Sequence, residues 1–353
     1  MNWARLQCLI GSLCLAVVLP APAGASEWNV LAWPEPYDYS GIPSTVMVEP
    51  LARAARPWRI CASYPHLKDA YWISVNYGMV EQALAAGVQL TVIDAGGYPS
   101  VDRQREQIEM CSRTSDAVIV SPSSYDGLTP LIRDIAKRMP VIAAVNDIDN
   151  RGISAKVGVP WRDMGRAIGR YIAARTPLSG PSAPIAWFPG PEGAGWVHFV
   201  DAGFREGIAG SSAKIAAVDW GDTGFEIQLR LVEETLDHFP TIAYLVGSAV
   251  TADAAVSVLR ARGLEGRVMI ASTYFTHGTY RAIKRGKVIA APTDAPVLQG
   301  RLAIDQAIRA IEGKLIHRHL GPPITMVDKQ TVDDMPLADC LAPPSFVPRF
   351  EVP

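Results

Sequence analysis

From Pro57 onward, short apolar runs bounded by turn residues alternate with stretches of helical period, and the alternation runs through the chain twice. This rhythm restricts the fold more than any other feature of the sequence. A parallel strand pair needs a crossover long enough to hold a helix, so repeated βα units build parallel sheets covered by helices on both faces. In the first half, strands are expected at residues 59–63, 89–94, 117–120, 141–145 and 156–159, with helices at 74–86, 101–112 and 128–138. In the second, strands are expected at 185–188, 215–218, 242–246, 268–271 and 288–291, with helices at 197–208, 226–237, 252–262 and 278–284. Residues 161–175 read as a helix at the crossing and 299–312 as a further helix. The expected fold class is therefore α/β, two similar doubly wound lobes with a cleft between them. The 353 residues also exceed the roughly 250–300 that one core supports.

Two stretches stand outside the rhythm. Residues 26–56 and 313–353 are rich in proline; the first reads as an extended arm with a strand at 29–33, a candidate docking element, and the second as a strand at 324–327 followed by a poorly packed tail. Ahead of the arm, Arg5, the apolar residues 6–19 and Ala23-Gly24-Ala25 have the pattern of a secretory leader cleaved after Ala25. The expected division is a leader at 1–25, the arm at 26–56, an N-terminal lobe at 57–160 with a returning helix at 297–312, a C-terminal lobe at 161–296, and the tail. No later apolar run is long enough to span a bilayer, so direct membrane insertion is not expected and export to the periplasm is. With 33 Lys+Arg against 35 Asp+Glu and no long run of one sign, the chain lacks the basic face that nucleic acid requires.

In open α/β sheets, ligands sit beyond the carboxyl ends of the strands. After the first strand come Asp69, Tyr71 and Trp72, two aromatic walls beside a carboxylate, a combination suited to a small ligand needing apolar contact and one polar fix. Asp69 reads equally as a helix cap. Trp161, at the crossing between halves, reaches either the cleft or the hinge. Tyr274 follows a strand of the second lobe and is a cleft candidate ahead of its neighbour His277. Asp294 either meets a ligand or caps a turn, and Ser123, Ser124, Tyr125 and Asn146 occupy equivalent but less informative loop positions.

Catalytic signatures are sparse. G-x-S-x-G, H-E-x-x-H and C-x-x-C are absent, and Gly190 to Gly195 is spaced G-x-x-G-x-G rather than as a dinucleotide loop. His317 and His319 lack neighbouring acidic or thiol ligands. No catalytic residue, cofactor or metal is expected, and a repressor with such lobes would carry a DNA-reading domain where this chain has a leader.

Several words of the sequence together resemble the type I periplasmic binding proteins of the ribose-binding kind, and among them the sensors of trimethylamine N-oxide. They are Tyr64-Pro65 with Leu67-Lys68-Asp69, Tyr71-Trp72 with Asn76-Tyr77-Gly78-Met79, Ala95-Gly96-Gly97-Tyr98, Val157-Gly158-Val159-Pro160-Trp161, Pro189-Gly190-Pro191, Gly203-Phe204-Arg205 and Tyr280-Arg281. The resemblance spans about Pro57 to Pro323 and implies a non-enzymatic sensor. It would bind trimethylamine N-oxide between its lobes and dock on the periplasmic domain of a membrane histidine kinase that controls anaerobic respiration on that oxide. Tyr71, Trp72, Trp161 and Tyr274 would supply aromatic faces for the methylated nitrogen, with Asp69 and Asp294 beside it. The alternative is a binding protein delivering a sugar or small methylated amine to an ABC transporter. The resemblance also supports a Cys61–Cys111 disulfide: the first lies in a strand and the second at the end of a helix returning to the same sheet. Cys340 has no counterpart.

Overall fold

In the computed structural model, residues 27–35 and 37–353 are described; the leader reading lies outside them. The elements are, in chain order, β1 (Trp28–Ala32), β2 (Ser44–Val48), β3 (Arg59–Tyr64), α1 (Ala70–Ala86), β4 (Gln89–Asp94), α2 (Val101–Ser112), β5 (Ala117–Val120), α3 (Thr129–Ile135), β6 (Val141–Val145), β7 (Ala155–Gly158) and α4 (Trp161–Ala173). There follow β8 (Ala183–Phe188), α5 (Val197–Ile208), β9 (Ala213–Val218), α6 (Phe225–His238), β10 (Tyr244–Gly247), α7 (Ala249–Ala261), β11 (Met269–Ser272), α8 (His277–Lys284), β12 (Ala290–Thr293) and α9 (Pro296–Ile311). The chain ends with β13 (His319–Gly321), β14 (Thr325–Asp328), α10 (Leu337–Cys340) and β15 (Glu351–Val352).

Strands buried on both faces explain the near-continuous apolar runs. Along β3, Ile60, Ala62 and Tyr64 enter one core while Cys61 enters another, and on β5 Ala117 and Ile119 alternate likewise with Val118 and Val120. The N-terminal lobe carries a nine-stranded sheet in the order β15-β4-β3-β5-β6-β7-β13-β1-β2, with β3 to β7 parallel. The C-terminal lobe carries a four-stranded parallel sheet, β11-β10-β8-β9. Cys61 of β3 is disulfide-bonded to Cys111 of α2, and Cys340 is a buried free thiol.

The structure departs from the sequence reading in three places. The proline-rich arm is part of the large sheet: β1 pairs antiparallel with β2 and with β13, so β2 forms the exposed edge. The fifth strand of the second lobe, β12, pairs antiparallel with β14 and meets the four-stranded sheet through the Ile289 amide and the Ile270 carbonyl. The tail is packed rather than loose. Val332, Cys340 and Leu341 join the C-terminal-lobe core, whereas Val352 of β15 pairs with Leu90 at the far edge of the N-terminal sheet. Prolines hid these contacts because they break local periodicity without preventing edge pairing.

Helices of one face in each lobe meet backbone to backbone. A Cβ on Gly203 of α5 would sit 1.8 Å from the Arg162 carbonyl oxygen, and one on Gly165 of α4 would sit 2.1 Å from that of Val200. Gly78 of α1 and Gly300 of α9 stand in the same relation to the Val297 and Val75 carbonyls, at 2.0 and 2.3 Å. These close crossings hold the amino ends of α1 and α4 at the lobe seam, where one hydrophobic core runs from the N-terminal lobe into the other.

Candidate ligand-binding site

That shared core opens into a narrow cleft with six aromatic walls: Tyr71, Trp72, Tyr98, Trp161, Trp196 and Tyr274. Each is between 2% and 6% exposed. Tyr71 and Trp72 stand in the first turn of α1, Tyr98 follows β4, Trp161 opens α4, Trp196 precedes α5 and Tyr274 follows β11. The rings touch in a chain across the seam. Centroids lie 5.6 Å apart for Tyr71 and Trp72, 5.2 Å for Tyr71 and Tyr274, 6.3 Å for Tyr274 and Trp196, and 5.3 Å for Trp196 and Trp161. Only Asp69, Asn146 and Thr223 add polar side chains to the lining.

Hydrogen bonds hold several of the walls from behind. Asp69 caps α1, its Oδ1 accepting the Tyr71 and Trp72 amides at 3.0 and 3.1 Å, so the cap that orients both rings is itself a wall. The Tyr71 hydroxyl donates to Asp294 Oδ2 at 2.6 Å, and Gln299 Nε2 donates to the same oxygen at 2.8 Å. Trp161 Nε1 donates at 2.8 Å to the carbonyl of Val145, a β-branched residue held at φ 68°. Asn146 Nδ2 donates to the Pro122 carbonyl at 2.9 Å and reaches the Tyr98 hydroxyl at 3.3 Å. Trp196 Nε1 is buried and has no hydrogen-bond partner among the described residues.

Burial sets the electrostatics. It pushes the Asp69 carboxyl up to about 6, with Asp222 adding to the rise and the two capping amides and Lys68 opposing it. Asp294 is raised by burial against the hydrogen bonds from Tyr71 and Gln299. Tyr71 and Tyr274 are held well above the usual phenol range, mainly by burial, so both remain hydroxyl donors.

The residues singled out from sequence divide clearly. Asp69, Tyr71, Trp72, Trp161 and Tyr274 are brought together in the lining, and Asn146 joins them. Asp294 is not in it; this buried carboxylate stands behind Tyr71 and holds its hydroxyl. His277 bonds the Ala342 carbonyl through Nε2, Tyr125 is exposed, and Ser123 is bonded through its amide to Gln104. His319 is buried and stacked on Trp33 at 4.6 Å, away from the cleft. Sequence reasoning missed Tyr98, Trp196 and Thr223 as walls. Trp196 was signalled by the glycine-rich stretch that delivers it, and Tyr98 by the paired Gly96-Gly97 before it; Thr223, in a loop well beyond β9, had no local cue.

The arrangement offers many π faces and few hydrogen-bonding groups, which favours a small cationic or methylated ligand over a polyol. Comparison with known proteins adds a family and relatives. Residues 57–336 match the family described as periplasmic binding proteins and sugar binding domain of the LacI family. Periplasmic protein TorT of Escherichia coli strain K12 is 36% identical over 345 residues, covering 98% of this chain and 97% of that protein. Among solved structures, a complex of the TorS sensor domain with TorT in the presence of TMAO superposes with a TM-score of 0.76 at 37% identity, covering 83% of this chain and 99% of that one. An ABC transporter solute binding protein from Bradyrhizobium sp. BTAi1, with bound bis-tris, gives a TM-score of 0.79 at 42% identity, covering 94% and 100%.

Proposed function

This chain belongs to the family of periplasmic binding proteins and LacI-type sugar-binding domains, and from that premise we propose that it is a periplasmic sensor of trimethylamine N-oxide. It binds the oxide between its lobes and signals by complex formation with the periplasmic domain of a membrane histidine kinase, as the relatives crystallised with a TorS sensor domain suggest. The observation that carries the ligand assignment is the six-ring cleft with one carboxylate. A methylated nitrogen bears positive charge over its methyl groups and gains about 0.5–2 kcal/mol per aromatic face. A sugar would leave its hydroxyls unpaired against these walls, which costs about 1–3 kcal/mol for each buried polar group.

In this reading Asp69, Tyr71, Trp72, Trp161 and Tyr274 contact the ligand, joined by Tyr98 and Trp196, while Asp294 keeps Tyr71 in place. The protein performs no chemistry; lobe closure alters a surface shared by both lobes, and the kinase reads that surface. A second reading is delivery of a small amine to an ABC transporter. It is favoured by the Bradyrhizobium relative, whose bound bis-tris is a tertiary amine. Calorimetric titration of the exported chain with trimethylamine N-oxide, bis-tris, ribose and glycine betaine separates the two, together with co-purification on a kinase periplasmic domain. Binding of bis-tris but not of the oxide, with no kinase retained, would overturn the sensor reading.

A further inference from the structure

One contact across the lobe seam bears on how an oxygen-bearing ligand is told from a purely alkylated one. His66, in the loop between β3 and α1, is fully buried, and its Nε2 lies 3.1 Å from Thr223 Oγ1 on the opposite lobe. The Lys68 amide donates to His66 Nδ1 at 3.3 Å. Burial, with the charge of Lys68, pushes this imidazole down to about 3, so the ring is neutral and carries one proton. With Nδ1 occupied as an acceptor, that proton is on Nε2. Asp69 Oδ2, at 4.0 Å from Nε2, is beyond hydrogen-bond reach, which leaves Thr223 Oγ1 as the acceptor.

A hydroxyl that accepts through one lone pair still has its own proton to give. Thr223 is 4% exposed, lines the cleft, and among the described residues its Oγ1 has no hydrogen-bond partner other than His66. Its amide is separately held by Asp222 Oδ1 at 2.8 Å, which fixes the backbone that presents the hydroxyl. We propose that Thr223 is the specificity-determining donor to the ligand's anionic oxygen and that His66 is its positioning residue, turning the hydroxyl proton into the cleft. The two residues come from different lobes, so this donor is oriented only when the lobes close. The inference rests on the methylammonium-oxide reading of the cleft and adds the group that recognises the oxide.

The test is titration of the full exported chain with trimethylamine N-oxide and with tetramethylammonium, which replaces the oxygen by a methyl group of similar size. Thr223→Val is expected to weaken N-oxide binding tenfold or more, the range for a hydrogen bond to a charged group, and to change tetramethylammonium binding less than twofold. Thr223→Ser is expected to restore the preference for the oxide. His66→Phe, which keeps a ring in place, is expected to lower the same preference by a smaller factor. Melting curves identify any variant that does not fold, and His66→Phe then carries the test. Equal loss of both ligands in the folded variants, or loss of neither, would overturn the assignment while leaving the aromatic cage standing. If the unaltered chain bound neither ligand, the cage reading itself would fall and this inference with it.

Discussion

Asp69 joins fold and ligand in one side chain, because the oxygen that caps α1 belongs to the carboxylate lining the cleft. Its carboxyl is raised from 3.8 to about 6, so the folded chain holds more protons than the unfolded one between those values. Stability contributed by this group is therefore present at low pH and is lost as pH rises through about 6. The positive trimethylated end of the ligand, placed beside it, favours the ionised form, so binding releases a proton. Affinity is expected to rise as pH increases through about 6 and then level off, and Asp69→Asn should flatten that rise; calorimetry at several pH values checks both. Trp72→Ala and Trp161→Ala are each expected to weaken binding severalfold to about thirtyfold, with Trp→Phe losing less, from the worth of one aromatic face. Titration of each folded variant beside a melting curve separates this from loss of packing, in which affinity per folded molecule would be unchanged. Tyr71, Trp72, Trp161 and Tyr274 were legible in the sequence because they fall just past strands whose ends could be read. Asp294 was placed in the cleft by the same rule, yet its strand β12 leaves the parallel sheet to pair with β14, and its carboxylate lies behind Tyr71.

Elements were legible where period and burial agree. The expected strands at 59–63, 89–94, 117–120 and 141–145 match β3 to β6 within a residue, because β3, β5 and β6 are buried on both faces and β4 alternates buried Leu90 and Val92 with exposed Gln89 and Thr91. The starts of β8 and β9 were set two residues late, since Pro184 and Lys214, which face each other in the pairing register, lack an apolar signal. What no local pattern discloses is which helices touch. Gly203 and Gly165 look like ordinary helix-weakening residues until α4 and α5 are seen to cross with no room for a side chain. Gly203→Ala is expected to lower stability by about 1–3 kcal/mol despite the better helix propensity of alanine, because the added methyl meets a backbone carbonyl that cannot turn aside. The shift would also tilt α4, whose first residue is Trp161, so a modest loss of affinity should accompany it. Denaturant melts and titration of the same sample measure both; a more stable Gly203→Ala protein would show that the crossing is looser than described.

At the scale of the whole molecule, the tail gives the lobes a link that the repeated βα rhythm does not announce. The chain crosses between lobes at residues 158–161, 293–296 and 321–325, and returns once more after α10. There the Ala342 amide donates to Ser74 Oγ, Asn76 exchanges two hydrogen bonds with the Arg349 backbone, and β15 joins the sheet. Removing residues 343–353 is expected to lower the melting temperature, to uncover Leu90 and Tyr77, and to widen the distribution of lobe angles seen by small-angle scattering. A truncated chain with unchanged melting and scattering would argue that the strap is idle. The cleft has a consequence of another kind. With no aromatic wall more than 6% exposed, the rings leave the ligand no open path to solvent while the lobes stay closed. A bound ligand leaves only as often as the lobes part, so residence time follows the rate of hinge opening. A receptor that reads such a protein responds to the ligand concentration averaged over that interval, and briefer fluctuations outside the cell are smoothed away before any signal crosses the membrane.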